Sequence, residues 1–391
     1  MKQAIVNVGT VVTGRLEAAR TDVECIVMED GVISYMGSQG VDLTDCGIVA
    51  DANGSTIVPG LIDSHVHVVL GDYTPRQKTV DFLESYTHGG ITRSITASEV
   101  HAPGRPKDPE GVKALALMAQ RCFSNFRPGG MTIHGGSVII EPGLTEKDFE
   151  ELKRQGVWLA KAGFGNFARM KDASQIVRDA QKHGFKVMCH TGGASIPGSS
   201  PVTAEDLLAM LPDVSGHVNG GPTALSDGDL EKVIRETSIA LQIVQAGNFR
   251  SALLATKLAK EADQLQRLLI ASDTPTGTGT MPLAVLKSAV ELASFTDLPA
   301  EWLIAAATGN VGLAYGLDAG ILEEGRPADL LIVDAPLGGT TGRALDAMKN
   351  GDLPAISGCF TSGQLRYLVS RNTPPPKKPT KVVQENLKIW M

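Results

Sequence analysis

Six residues of metal-binding or proton-moving type fall at the ends of short apolar runs. They are His65 and His67 in GLIDSHVHV, Lys161 in GVWLAK, His190 in FKVMCH, His217 in DVSGH, and Asp273 just after RLLIAS. Imidazole nitrogen and carboxylate oxygen suit zinc, iron or manganese. On a strand, the i, i+2 spacing of His65 and His67 points both side chains to one face. Four imidazoles and a carboxylate exceed the needs of a single catalytic ion that keeps an open position. They suit two divalent ions, zinc and/or iron, which need a bridging ligand. Lys161 cannot ligate as a cation. A buried neutral lysine amine can take up CO2, however, and an N6-carboxylated Lys161 would supply two oxygens and a negative charge. Asp273 is the candidate catalytic residue, ligating a metal and carrying a proton between water and the leaving group.

Other histidines have plainer readings. His183, before Gly184, and His88, in THGG, look like helix ends, where an imidazole complements the helix dipole. His101 lies on a loop after the second strand of the central region, which can approach the same mouth. His134 sits within the third strand and reads as a core or supporting group. Cys189 neighbours His190 on a strand and should face the opposite way.

Positioning six such residues together requires a particular scaffold. Residues 59–317 alternate short apolar strands with amphipathic stretches such as EKDFEELKRQ, DASQIVRDAQKH and ATKLAKEADQLQ, the βα rhythm of a parallel sheet covered by helices. Eight strand candidates over about 260 residues match an α/β fold of the (β/α)8 TIM-barrel type. The third strand is read as MTIHGGSVI, residues 131–139. In such a barrel the C-terminal strand ends converge at one mouth, where catalytic groups sit. A Rossmann sheet would want a Gly-rich fingerprint after the first strand, and the sequence has none. Residues 1–58 and 318–372 carry short β-type runs and Gly turns instead. They read as one small β-sandwich domain built from both chain ends. Residues 373–391 form a Pro-rich C-terminal arm in which Trp390 could pack on a neighbouring subunit.

Composition narrows the partners. A net charge of -7 disfavours nucleic-acid binding, and Lys377, Lys378 and Lys381 read as a solvated tail. Five scattered cysteines with no C-x-x-C spacing argue for reduced thiols in a cytoplasm. The N-terminus lacks a signal-peptide pattern, and no apolar run reaches the roughly 18 residues that span a bilayer. The chain is expected to be soluble, cytoplasmic and independent of membranes.

Three segments together resemble the amidohydrolase superfamily: PGLIDSHVH, GITRS and GILEEGRPADLLIVD. Longer stretches are similar to a ring-opening member of it: GDYTPRQKTVDF, PGRPKD, CHTGGASIPGSS, GHVNGGPTA, DTPTGTG and SRNTPP. The resemblance implies a binuclear-metal hydrolase that opens a cyclic amide, a lactam or enamide such as 6-oxo-1,4,5,6-tetrahydronicotinate. It implies His65, His67, His190, His217 and Asp273 as ligands, and a homotetramer. A ring carboxylate would be bound by Arg76, with Tyr73 and Asn219 as further substrate contacts. In one place the chain departs from the pattern. An acidic bridging residue is expected near the fourth strand in a segment like G-E-x-G, and here the segment reads AKAGFG. Lys161 would restore the bridge. Alternative substrates within the superfamily are a hydantoin, another lactam or an N-acyl amino acid. A mononuclear deaminase would want an H-x-x-E element, which neither HTGGAS nor HVNGGP provides. A metal-free scaffold would usually have lost ligands, and all the candidates are present.

Overall fold

β-Branched and apolar residues dominate both chain ends, and both ends are strand-rich. A computed structural model describes residues 2–68, 79–102, 104–195, 199–275 and 281–386. Gln3–Val6, Cys25–Glu29, Val32–Gly37, Ile48–Asp51 and Lys381–Glu385 form a five-stranded sheet. Its Cys25–Glu29/Val32–Gly37 hairpin turns at Asp30–Gly31. Both residues have positive φ, 50° and 86°, which an Asp-Gly pair adopts readily. A six-stranded sheet combines Thr10–Val12, Arg20–Thr21 and Thr56–Pro59 with Leu330–Asp334, Ala355–Thr361 and Gln364–Leu368. Side chains of both sheets share one buried cluster that includes Ile5, Ile26, Ile57, Leu330, Ile332 and Phe360. Burying each such side chain contributes about 1.5–3 kcal/mol.

Between these ends the strands are parallel. Leu61–Val66, Ile91–Thr96 and Thr132–His134 make a three-stranded sheet. Ser137–Ile139, Leu159–Ala162, Lys186–His190, Val214–Gly216, Ala240–Val244 and Leu268–Ala271 follow in order in a six-stranded one. The two meet where Val66 bridges Thr274 in parallel. There Asp273 N–H donates to His65 O (2.9 Å) and His67 N–H to Thr274 O (2.8 Å). Ile62, Ile95, Leu159, Met188, Val214 and Leu269 pack together beneath the site, against Val311 and Tyr315. Helices Glu146–Arg154 and Ser174–Lys182 fall within the amphipathic stretches read from the sequence, and Phe249–Glu261 overlaps the third, starting six residues before it. Thr145 and Asp148 cap the first of these reciprocally.

Two expectations need correcting. The run 131–139 is not one strand but two, broken at Gly135–Gly136. Helix Pro109–Asn125 presses on the break. A Cβ on Gly136 would lie 2.4 Å from Ala116 O, and one on Gly135 would lie 2.7 Å from the Phe123 ring. The tail is also not a separate arm throughout. Lys381–Glu385 pairs antiparallel with Ile48–Asp51, satisfying backbone groups that a sheet edge leaves open. Trp390 lies outside the described residues. No helix among the described residues is long and apolar enough to cross a membrane.

Candidate metal centre

The strand ends place the ligand candidates in one buried pocket. His65 ends the Leu61–Val66 strand together with Val66, and His67 follows. Lys161 lies within Leu159–Ala162, and His190 closes Lys186–His190. His217 follows Val214–Gly216, and Asp273 comes two residues after Leu268–Ala271. His217 and Asp273 both adopt left-handed backbone, with φ of 46° and 59°. For non-glycine residues that conformation costs about 1–2 kcal/mol each and clusters at functional sites.

The six fall into two groups. In the first, Asp273 Oδ1 lies 3.1 Å from His67 Nε2 and 3.4 Å from His65 Nε2. Donor atoms of these three residues all lie within 4.8 Å of one another, a spacing that can hold a metal ion. In the second, His190 Nδ1 lies 2.9 Å from His217 Nε2. The groups touch through His65 and His217, whose ring centroids are 5.3 Å apart. Lys161 Nζ lies against the first group, 3.4 Å from His65 Nε2, and 3.1 Å from Met188 Sδ.

Burial sets the protonation. It pushes the imidazoles of His190 and His217 down to about 3 and about 4, and that of His65 well below its usual value. All three are neutral, with a lone pair to offer. Burial also lowers the Lys161 amine to about 8, against the pull of Asp273. Burial alone would raise the Asp273 carboxyl. The surrounding imidazoles of His65, His67 and His217 overcome it and hold the group well below the usual carboxylate range. Lys161 is almost fully buried, and no carboxylate pairs with it among the described residues. A salt bridge at the rim, its plainest role, is therefore not observed.

Neighbours fix which nitrogen each ring presents. His65 Nδ1 donates to Gln242 Oε1 at 2.5 Å. Gln242 Nε2 donates in turn to Ser64 O and Oγ, so its carbonyl oxygen must face His65. The lone pair of His65 is thereby on Nε2, which faces Asp273 Oδ1 and Lys161 Nζ. His190 Nε2 donates to Gly193 O (2.9 Å), which frees Nδ1. This outer layer is typical of metal-ligating histidines. Among the described residues, the buried Nδ1 atoms of His67 and His217 have no hydrogen-bond partner. Neutral buried imidazoles, a carboxylate and lone pairs aimed at one space form a donor set that fits divalent metal.

The proposed substrate contacts fare differently. Asn219 is buried, but its side chain is committed to backbone. It accepts from Val244 N–H (2.8 Å) and donates to Val244 O (3.0 Å), so it ties its own loop to the end of the Ala240–Val244 strand. Arg76 and Tyr73 lie outside the described residues.

Sequence reading missed Gln242, Asp63 and Phe164, and left His101 open. Gln242 had a signal: it is a polar residue in the apolar run IALQIV. Asp63 Oδ1 accepts from the backbone N–H groups of His65 and Ser272, tying together the strand ends that carry the first group. Burial raises its carboxyl to about 7. The Phe164 ring covers His190, with centroids 4.9 Å apart, and no local pattern marks it.

No family model matches the chain. It is 46% identical over 385 residues to enamidase from Eubacterium barkeri, covering 98% of this chain and 100% of that one. A crystal structure of enamidase, described as a new member of the amidohydrolase superfamily, superposes with a TM-score of 0.94. That match has 45% identity and covers 98% of this chain and 100% of the other. A β-aspartyl dipeptidase from Fervidobacterium islandicum AW-1 shares the fold alone. It has a TM-score of 0.60 and 17% identity, over 93% of this chain and 96% of that one.

Proposed function

The chain belongs to the amidohydrolase superfamily, and on that premise we propose that it is an enamidase-like, metal-dependent hydrolase that opens the C–N bond of a cyclic amide. One observation carries the reading. His65, His67 and Asp273 bring metal-binding donors within 4.8 Å of one another, in a chain that matches enamidase from end to end.

In this reading the two parallel sheets are one (β/α)8 barrel, and the two sheets at the chain ends are one small sandwich domain. The ligands are His65, His67, His190, His217 and Asp273, and carboxylated Lys161 is the bridge. When bound, two divalent ions, zinc and/or iron, would supply Lewis-acid polarisation and a water of lowered pKa.

The chain's own residues do the rest. The buried pocket excludes bulk water and strengthens each electrostatic contact. Gln242 and Gly193 O hold the His65 and His190 rings in one tautomer. Asp273, held ionised by the imidazoles around it, accepts a proton from the attacking water and returns it to the amide nitrogen as the C–N bond breaks. The favoured substrate is a carboxylated lactam or enamide ring such as 6-oxo-1,4,5,6-tetrahydronicotinate, its carboxylate bound by Arg76 with Tyr73 beside it. A cytoplasmic homotetramer is part of the same reading, and mass in solution tests the assembly.

The experiment is a hydrolysis screen of cyclic amides with and without a ring carboxylate. The expected result is ring opening, faster for the carboxylated members. Turnover of hydantoins or N-acyl amino acids, with no opening of lactams or enamides, would overturn the assignment.

A further inference from the structure

His101 stands outside the six ligand candidates, yet the fold delivers it to them. Its ring lies edge-on to His67 with centroids 4.6 Å apart, and 6.1 Å from the Phe164 ring. Among the described residues the ring has no hydrogen-bond partner. A neutral imidazole in this place keeps one N–H to donate. A side chain kept only for packing would be better apolar, because unpaired polar nitrogens in a mostly buried place cost free energy.

The loop that carries His101 is stapled in place. Two successive turns, Ala102 N–H to Glu99 O and Arg105 N–H to Ala102 O (both 3.1 Å), run from Glu99 to Arg105, with His101 inside the first. The Arg105 guanidinium then donates to Glu141 Oε1 (2.8 Å) and to Phe164 O (2.7 Å). Glu141 is fully buried, and its other oxygen accepts from Asn166 N–H (2.8 Å). One buried ion pair therefore fastens the His101 loop to the loop that follows Lys161. A donor held in a partly buried place, beside the residues that would hold the metal, is well placed to stabilise negative charge that develops during reaction.

We propose that His101 contacts the substrate. Its ring N–H donates a hydrogen bond to the carbonyl oxygen of the amide as that oxygen gains charge, and Arg105 and Glu141 are the positioning pair that holds it there. The N–H proton stays on the ring. The proposal rests on the hydrolase reading above.

The test compares His101→Ala, His101→Asn and Glu141→Gln with wild type for kcat, KM, bound metal and thermal melting. His101→Ala should lower kcat by about 10²-fold with KM and metal content nearly unchanged. His101→Asn, which keeps an N–H donor, should recover part of the loss. Glu141→Gln should shift kcat in the same direction by less. Full activity in His101→Ala would overturn the proposal, and so would loss of metal there, which would make His101 a ligand. If wild type opens no cyclic amide, the hydrolase reading falls and takes this proposal with it. An active wild type with an unimpaired His101→Ala sinks the proposal alone.

Discussion

At His65 and His67 the imidazoles face a carboxylate; at His190 and His217 they face each other. The first group has its counter-charge built in, with Asp273 Oδ1 3.1 and 3.4 Å from the two rings. The second offers two neutral nitrogens 2.9 Å apart and no anion of its own. Lys161 sits against the first group, its Nζ 3.4 Å from His65 Nε2, and as an amine it adds nothing negative. The difference teaches where a cation is held most firmly. In the proposed reading the Asp273 group would attract a metal by charge, whereas the His190–His217 group would need a shared anionic bridge, which carboxylation of Lys161 would complete. A proton shared between His190 and His217 must also leave before both lone pairs can bind metal.

The largest expected effect breaks the first group. Asp273→Asn keeps an oxygen ligand but no base, so kcat should fall by about 10²-fold or more while most metal stays bound. Steady-state kinetics and metal analysis check this, and full activity would remove Asp273 from proton transfer. A smaller effect sharpens the same comparison from behind the site. Gln242→Leu leaves His65 Nδ1 unpaired and its ring free to turn. Metal affinity, measured by competition with a chelator, should weaken about 10–100-fold. The same substitution should barely affect the ion on the His190–His217 side. Equal loss of both ions would contradict the division into two groups.

The strand ends were legible in the sequence because short apolar runs punctuated by polar residues have few readings in a βα rhythm. His65, His67, Lys161, His190, His217 and Asp273 all fall in one pocket for that reason. What supports them was not legible. Gln242 meets Ser64 across 178 positions and Arg105 meets Glu141 across 36, so no local pattern ties either pair. Asn219, two residues past His217, has the right spacing for a substrate contact, yet the Val244 backbone claims its side chain. The break at Gly135–Gly136 follows from a helix pressing on the strand, which periodicity alone does not register.

The smallest expected effect lies away from the metal site and serves as a reference for it. Burial holds His134 at about 4 against its usual 6.5, and among the described residues its Nε2 has no partner. Between those two pH values the unfolded chain binds the proton that the folded chain refuses. Stability therefore falls as pH drops through the window. His190 and His217 add to the same slope. His134→Met should flatten the dependence of Tm on pH across this range without changing metal content. An unchanged slope would show that His134 does not contribute.

The central claim is that two groups of ligands hold two ions, and counting the metal tests it most directly. Elemental analysis of purified wild type should give about two equivalents per chain, falling to about one when His190 and His217 are both replaced by alanine. A wild type that binds no metal after loading with zinc or iron, or a double variant that keeps the full complement, would contradict it.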